Sequence, residues 1–418
     1  MKKIKLRDVC KFIDYRGKTP QKTTSGIPLV TAQIIKNGFI QEPQEFISPE
    51  IYNAHMRRGI PKKGDVVLTT EAPLGEVAQI RTDERLAFAQ RVIILQADEK
   101  ILHNAYLLYA LKYKPFKDRI LGKASGTTVF GIRASELKEV ELEVPSLETQ
   151  KKIAAVLSVL DDKIALNKKI NTTLEAMAKS LYDYWFVQFD FPDENGKPYK
   201  TSGGKMIYSS ELGHDIPADW EVDTLEGKIS ITRGISYSTE TLSAKTEGMP
   251  MINLASVDRK RNYIPSGLKF FIGDVPDEKK LQSMDMLIAC TDLTRQAEII
   301  GSPILVMNDR EYTFSMDLAK LTVIDEKLNK LYLYMTLRTN FYHQYIVGFA
   351  SGTTVLHLNT NGIEWYKVLI PPAVLQKKFA EVMNNIYFQT CKNICENQQL
   401  AELHDWLLPV LMSGQIKF

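Results

Sequence analysis

The chain contains itself twice, and this restricts its architecture more than any other feature. Ala124-Ser-Gly-Thr-Thr-Val129 recurs as Ala350-Ser-Gly-Thr-Thr-Val355, an offset of 226 residues. The offset holds without a gap over a long stretch: Phe88 falls on Phe314, Tyr106 on Tyr332, Pro145 on Pro371, and Gln150-Lys151-Lys152 on Gln376-Lys377-Lys378. Upstream it shrinks through small insertions. Gly26-Ile-Pro-Leu-Val30 resembles Gly248-Met-Pro-Met-Ile252, and Asp65-Val-Val-Leu68 resembles Asp285-Met-Leu-Ile288. A period this long marks a duplicated domain, not a solenoid of short repeats.

The 418 residues would divide into about three units at roughly 150 residues per domain. The duplication replaces that division with two copies of one plan. Hydrophobic residues at 44% and charged residues at 25% are globular values, so disorder and fibrous folds are excluded. The basic start Met1-Lys-Lys-Ile-Lys-Leu-Arg7 leads into more charge, not an apolar stretch, and no segment reaches the roughly 20 apolar residues of a membrane span. Four cysteines without a C-x-x-C pair fit a reducing compartment. These features predict a cytoplasmic protein with no membrane contact. Cys391 and Cys395 read as two small buried side chains on a helix.

Each copy has two parts. The first, 1–145 and 216–372, is mixed. Short apolar runs such as Val66-Val-Leu68, Val92-Ile-Ile-Leu95 and Met286-Leu-Ile288 are bounded by turn-forming residues, as strands are. Leu and Tyr at helical spacing predict a helix over 102–121 and a twin over 328–347. The second part is a long helix, 146–185 in one copy and within 373–418 in the other. Ser146 is its predicted N-cap, with Glu148 in the first turn. A turn-rich linker spans 186–215.

The long helices carry a heptad seam. In the first it runs Ile153, Leu157, Leu160, Ile164, Asn167, Asn171, Leu174, Ala178, Leu181, Trp185, in steps of four and three. The second repeats it from Phe379 through Met383, Ile386, Thr390, Asn393, Asn397, Leu400, His404 and Leu407 to Leu411. Antiparallel pairing joins residues whose numbers add to a constant. Taking 564 sets Asn167 against Asn397 and Asn171 against Asn393, with Leu157 on Leu407 and Leu181 on Met383. Every seam position then finds a partner, and the buried amides can bond one another instead of facing apolar groups. These four asparagines are thus candidate register residues; plain exposure is the other reading. Roughly 38 residues at about 1.5 Å each predict a rod of about 57 Å, with the two domains at opposite ends.

Catalytic patterns are missing. Arg16-Gly-Lys-Thr19 lacks the earlier glycine of a phosphate loop, since Phe12 stands there. Pro371-Pro372 has no preceding Asn or Asp and no following aromatic, so an adenine-methyltransferase box is absent. The six histidines form no metal or nucleophile pattern, and His404 reads as packed in the seam. Asp98-Glu99 and Asp161-Asp162 read as solvated faces. The chain is therefore expected to catalyse nothing on its own and to bind no metal or cofactor directly.

Two linked copies of a domain without chemistry suggest a bivalent reader, and DNA with two half-sites is a natural pseudo-symmetric target. The net charge of +3 hides unlike parts: 1–145 carries +7 and 216–372 carries −3. Arg57, Arg58 and Lys123 in the first copy, and Arg259 and Arg261 in the second, are candidate phosphate contacts; a solvated surface is the alternative.

The sequence resembles the specificity subunit of a type I restriction-modification system. The resemblance rests on the duplicated plan, the repeated Ser-Gly-Thr-Thr loops and Pro145-Ser-Leu-Glu-Thr-Gln-Lys-Lys152. It rests also on Asp190-Phe-Pro-Asp-Glu-Asn-Gly-Lys-Pro198, Leu212-Gly-His-Asp-Ile-Pro-Ala-Asp-Trp-Glu221 and the terminal Leu411-Met-Ser-Gly-Gln-Ile416. It implies an α+β chain with two similar α/β target recognition domains, separated by a long antiparallel two-helix coiled coil with pseudo-twofold symmetry. It implies double-stranded DNA as ligand, each domain reading half of a split target. The implied partners are two methyltransferase subunits, which hold S-adenosylmethionine and methylate adenine N6, and restriction subunits, which use ATP and Mg. No individual base contact carries over, because recognition domains vary within the family.

Readers are therefore chosen by chemistry: Arg and Lys suit guanine, Asn and Gln suit adenine. Candidates in the first copy are Arg16, Lys18, Gln21, Lys22, Glu71, Gln90 and Arg91. In the second they are Arg233, Tyr237, Asn262, Asp292, Arg295 and Gln296. The repeated loops offer Ser125, Thr127 and Thr128, and Ser351, Thr353 and Thr354, as target-independent phosphate ligands; a fold-critical turn is the rival reading. The alternative function is a duplicated protein-interaction scaffold that does not read DNA.

Overall fold

A computed structural model describes residues 2–15, 20–126, 130–243 and 247–416. The chain divides into two compact units, Met1–Lys163 with Leu400–Phe418, and Ile164–Gln399. Each long helix contributes to both. The fold is mixed α+β, as expected.

In the first unit an antiparallel sheet runs in the order Cys10–Asp14, Val92–Ala97, Val66–Thr70, Leu74–Gln79. Side chains alternate across a strand, and this sheet is buried on both faces. Val66, Leu68, Ile93 and Leu95 enter one core with Leu107, Leu111 and Phe116. Val67, Ile94 and Ile13 enter another with Ile27, Leu29 and Phe88. Burial on both faces is why Val92-Ile-Ile-Leu95 reads as an unbroken apolar run. The second core is closed by a small sheet ordered Ala87–Phe88, Ile27–Val30, Phe46–Ile47, Lys22–Thr23, in which Ala87–Phe88 is parallel to Ile27–Val30.

The second unit repeats the plan. Its sheet runs Ile229–Arg233, Leu318–Val323, Met286–Ala289, Pro303–Leu305, again antiparallel. Thr313–Phe314 pairs in parallel with Met249–Ile252, as its counterpart does in the first unit. The side-chain joints recur too. Gln150, fully buried, accepts the His103 N–H at 2.9 Å and donates to the Ile101 and Pro145 carbonyls. Gln376 accepts the Asn329 N–H at 2.8 Å and donates to the Lys327 and Pro371 carbonyls. Tyr106 and Tyr332 donate their hydroxyls to Glu143 and Leu369 carbonyls at 2.8 and 2.7 Å. Both amides tie the start of a long helix to the loop before the unit's own helices.

The expected single helices over 102–121 and 328–347 are each two. The first copy has Asn104–Lys112 and Lys114–Leu121, the second Lys330–Leu337 and Asn340–Val347. Both break at equivalent residues for different reasons. Two residues after Tyr113 comes Pro115, which has no N–H to give and sits in the first turn of a new helix that Lys114 opens. In the second copy Thr339 stops the chain and caps the next helix, accepting the Tyr342 N–H at 3.3 Å.

The long helices span Leu147–Tyr182 and Ala373–Met412. Ser146 Oγ accepts the Thr149 N–H at 3.2 Å, closing the first turn. Every seam position from Ile153 to Trp185 and from Phe379 to Leu411 is buried or half-buried. Within the first unit, Leu157 and Leu411 share a core that Leu407 packs against; within the second, Ala178 and Tyr182 share one with Phe379 and Met383. Also inside the second unit, Asn167 Nδ2 donates to Asn397 Oδ1 at 3.0 Å and to Glu396 Oε2 at 2.8 Å. Asn393 Nδ2 donates to Asn171 Oδ1 at 2.7 Å, and Asn171 Nδ2 donates to the Thr390 carbonyl at 3.4 Å. Partner numbers rise on one helix as they fall on the other, so the pairing is antiparallel.

Two readings of the helices need correcting. Asp161 is not on a solvated face: it is buried, accepts the Tyr109 hydroxyl at 3.1 Å and lies 3.8 Å from Lys112 Nζ and 3.9 Å from His404 Nε2. It follows the seam by one residue, and the helix Asn104–Lys112 reaches it. Burial pushes the Lys112 ammonium below its ordinary pKa. Asp162, exposed, pairs with Arg81. Cys391 and Cys395 are half-buried, and Cys391 Sγ lies 3.7 Å from the Asn308 carbonyl oxygen. Among the described residues no helix is long and apolar enough to cross a membrane.

The amide pairs make a double-mutant cycle informative. Asn393→Leu alone strands the Asn171 carbonyl oxygen and is expected to cost about 1–3 kcal/mol. Adding Asn171→Leu should recover part of that loss, since two leucines pack where two amides bonded. Urea unfolding reads both, and strictly additive losses would contradict the bonded pair.

Candidate nucleic-acid interface

In the first unit the strand Val66–Thr70 delivers Glu71 to a loop at the sheet's end. Ser125 and Gly131 stand beside it. Gly131 bridges both Glu71 and Ser125, with the Ser125 N–H donating to the Gly131 carbonyl at 2.9 Å and the Gly131 N–H returning to Ser125 at 3.1 Å. Glu71 Oε1 lies 2.6 Å from Arg91 Nε. Arg91 has a left-handed backbone, φ 71°, and its carbonyl accepts the Thr70 N–H at 2.8 Å. Three candidate readers from distant segments, Glu71, Arg91 and Ser125, are thus brought together.

The second unit builds the same device as a regular three-stranded sheet, with Leu356–Leu358 between Thr291–Asp292 and Ala350–Ser351. Arg295 Nε donates to the Thr353 carbonyl at 2.8 Å, and Arg233 donates to the Leu358 carbonyl at 3.4 Å. Two guanidinium groups therefore hold the loop while remaining exposed. Gly352 has φ 136°, and a Cβ there would collide with the Val355 carbonyl, so the turn requires glycine.

The other candidates divide by what already occupies them. Asp292 is buried and accepts the Thr294 N–H, the Thr294 hydroxyl and the Ile299 N–H, so its carboxylate holds its own loop. Asn262 accepts from Arg338 at 2.9 Å and lies against Asp258. Arg261 reaches Asn340 at 3.2 Å, and Arg259 pairs with Glu298 at 3.5 Å. Tyr237 accepts from Lys269 at 2.9 Å, with the ammonium 4.6 Å from its ring centroid. Lys22 pairs with Glu45 at 2.7 Å, Lys123 with Glu136 at 3.6 Å, and Arg58 donates to the Asp14 carbonyl at 2.6 Å. Gln21, Arg57, Gln296, Ser351, Thr353 and Thr354 are exposed, and Gln90 is half-buried. Arg16, Lys18, Thr127 and Thr128 lie outside the described residues. Selection by side-chain type passes over His357, which is exposed at the centre of the second small sheet. Its only sequence signal is that it stands opposite Gly131 at the 226 offset. Among the described residues no group of His, Cys, Asp and Glu could hold a metal ion.

Each of the two sheet-and-loop units carries a small display of polar groups, so the module is duplicated along with the fold. The model of the type I restriction modification DNA specificity domain matches residues 1–176 and 217–404. The chain belongs to that family. It is similar to the type I restriction enzyme MjaIX specificity subunit of Methanocaldococcus jannaschii, with 27% identity over 94% of this chain and 87% of that one. It is also similar to the HindI specificity subunit of Haemophilus influenzae, with 23% identity over 85% and 87%. The S subunit of a type I restriction-modification system from M. genitalium shares the fold, with a TM-score of 0.57, 17% identity, and 98% and 95% of the two chains covered.

The glycine turn sets a direct test of this geometry. Gly352→Ala forces both a steric clash and a left-handed alanine, and should destabilise the second unit by about 1–3 kcal/mol. Thermal unfolding measures it, and an unchanged midpoint would contradict the turn as described.

Proposed function

We propose that this chain is the DNA-reading subunit of a type I restriction-modification complex, each unit reading one half of a bipartite double-stranded target. The observation that carries the reading is a small polar display present in both units, with Ser125 and Ser351 at the 226 offset: Glu71 and Arg91 stand beside the first serine, and Arg233 and Arg295 brace the second. Arginines and a carboxylate suit base edges, while hydroxyls and backbone N–H groups suit phosphates. The long helices hold two methyltransferase subunits and, through them, restriction subunits. Their surfaces support that role. Val159, Leu166 and Met177 are 65%, 52% and 55% exposed on the first helix, and Phe388 and Trp406 are 71% and 61% exposed on the second. Apolar side chains at this density call for protein partners. S-adenosylmethionine, ATP and Mg belong to those partners, and the complex works on DNA in the cytoplasm. The four seam asparagines fix the helix register, because a slip would set amides against leucine.

The test is to co-express the chain with its methyltransferase and map N6-methyladenine across the host genome. The expected result is one split motif with a fixed spacer, and methylation without such a motif would overturn the reading. Binding of the purified complex to that site should fall steeply with salt, as phosphate contacts require. A salt-insensitive complex that retains no DNA would favour a pure interaction scaffold.

A further inference from the structure

The three bridged residues of the first display each have a counterpart in the second, and two of the three differ in kind. In the first unit the bridged residues are Glu71, Gly131 and Ser125. In the second they are Thr291, His357 and Ser351. The serine is shared, whereas the other two positions exchange roles. Where one unit has a long polar side chain followed by glycine, the other has a short one followed by histidine.

Residues opposite each other across a ladder show their side chains on the same face. A Cβ added at Gly131 would meet the Glu71 Cβ at 3.3 Å and its Oε2 at 3.4 Å, so the Glu71 side chain occupies the space above Gly131. In the second unit that space belongs to His357. Thr291 beside it is buried, while His357 and Ser351 are exposed. Among the described residues the His357 ring has no hydrogen-bond partner. Backbone holds it from both sides: Arg233 binds the carbonyl of the next residue, Leu358, and Arg295 binds the Thr353 carbonyl in the adjoining turn. A free imidazole on a braced backbone is a preorganised donor and acceptor, and it costs little further ordering on binding.

We infer that His357 is a specificity-determining residue of the second unit, hydrogen-bonding a base edge at the position that Glu71 faces in the first. The inference rests on the proposed DNA-reading function. It adds that the two units read unlike half-sites in part because this one pair of positions carries a carboxylate in one and an imidazole in the other.

The experiment maps N6-methyladenine made by the complete complex carrying wild-type chain, His357→Gly or His357→Gln. Glycine is the residue the first unit uses at the same point, so the variant keeps a backbone that this sheet accepts. If the glycine variant yields no complex, the glutamine variant decides. The expected result is a split motif in which one base position of one half-site loses about tenfold or more of its discrimination, with the other half-site unchanged. An unchanged motif overturns the inference, as does weaker methylation of an unaltered motif, which would place His357 on the phosphates. Equal relaxation of both half-sites also overturns it. A wild-type map without a split motif overturns the DNA-reading function itself, and it is read without any variant.

Discussion

A polar pairing at the centre of an apolar seam organises the chain. Asn167 bonds Asn397 and Asn171 bonds Asn393 across antiparallel helices. Amides buried in this way are costly unless bonded, and each has its partner in one register only. In this pairing Ile153 and Leu157 share one core with Leu411, and Ala178 and Tyr182 share the other with Phe379. The buried glutamines then anchor each helix start, Gln150 in the first unit and Gln376 in the second, through the same three bonds.

Duplication explains why so much is shared, and the exceptions show what each copy must do for itself. The helix break at Tyr113 and Thr339 is kept although one copy uses proline and the other a threonine cap. A largely buried cation at the end of the equivalent helix is also kept. Lys112 approaches Asp161 at 3.8 Å, and its counterpart Arg338 reaches Glu175 at 2.9 Å, both carboxylates lying on the first long helix. A cation buried this deeply needs its partner, so these pairs tie each unit to the helices. At the polar displays the copies diverge, with Glu71 and Gly131 bridged in one unit and Thr291 and His357 in the other.

The sequence made the duplication, the seam and the asparagine pairing legible because each depends on spacing alone. Spacing fails where a local contact overrides it. Leu and Tyr run on at helical intervals through Tyr113, and only the proline and the cap reveal the break. Asp161 looks solvated because the groups that bury it, Tyr109 and Lys112, come from fifty residues away. Asp292 has the chemistry of a reader, but its loop takes up the carboxylate first. His357 is invisible to a search by residue type, and it emerges only when the bridge partners of the two units are set side by side.

The most direct measurement tethers an iron chelate at one display sheet at a time and cuts the DNA from there. Ser125→Cys and Ser351→Cys place the probe on exposed, equivalent residues of the two units, with Cys391 and Cys395 changed to serine. In the assembled complex bound to its target, the two probes should cut at different half-sites, each within a few base pairs of the bases its unit reads. Cleavage at the same place from both probes, or from neither, would contradict a chain that reads DNA once with each copy.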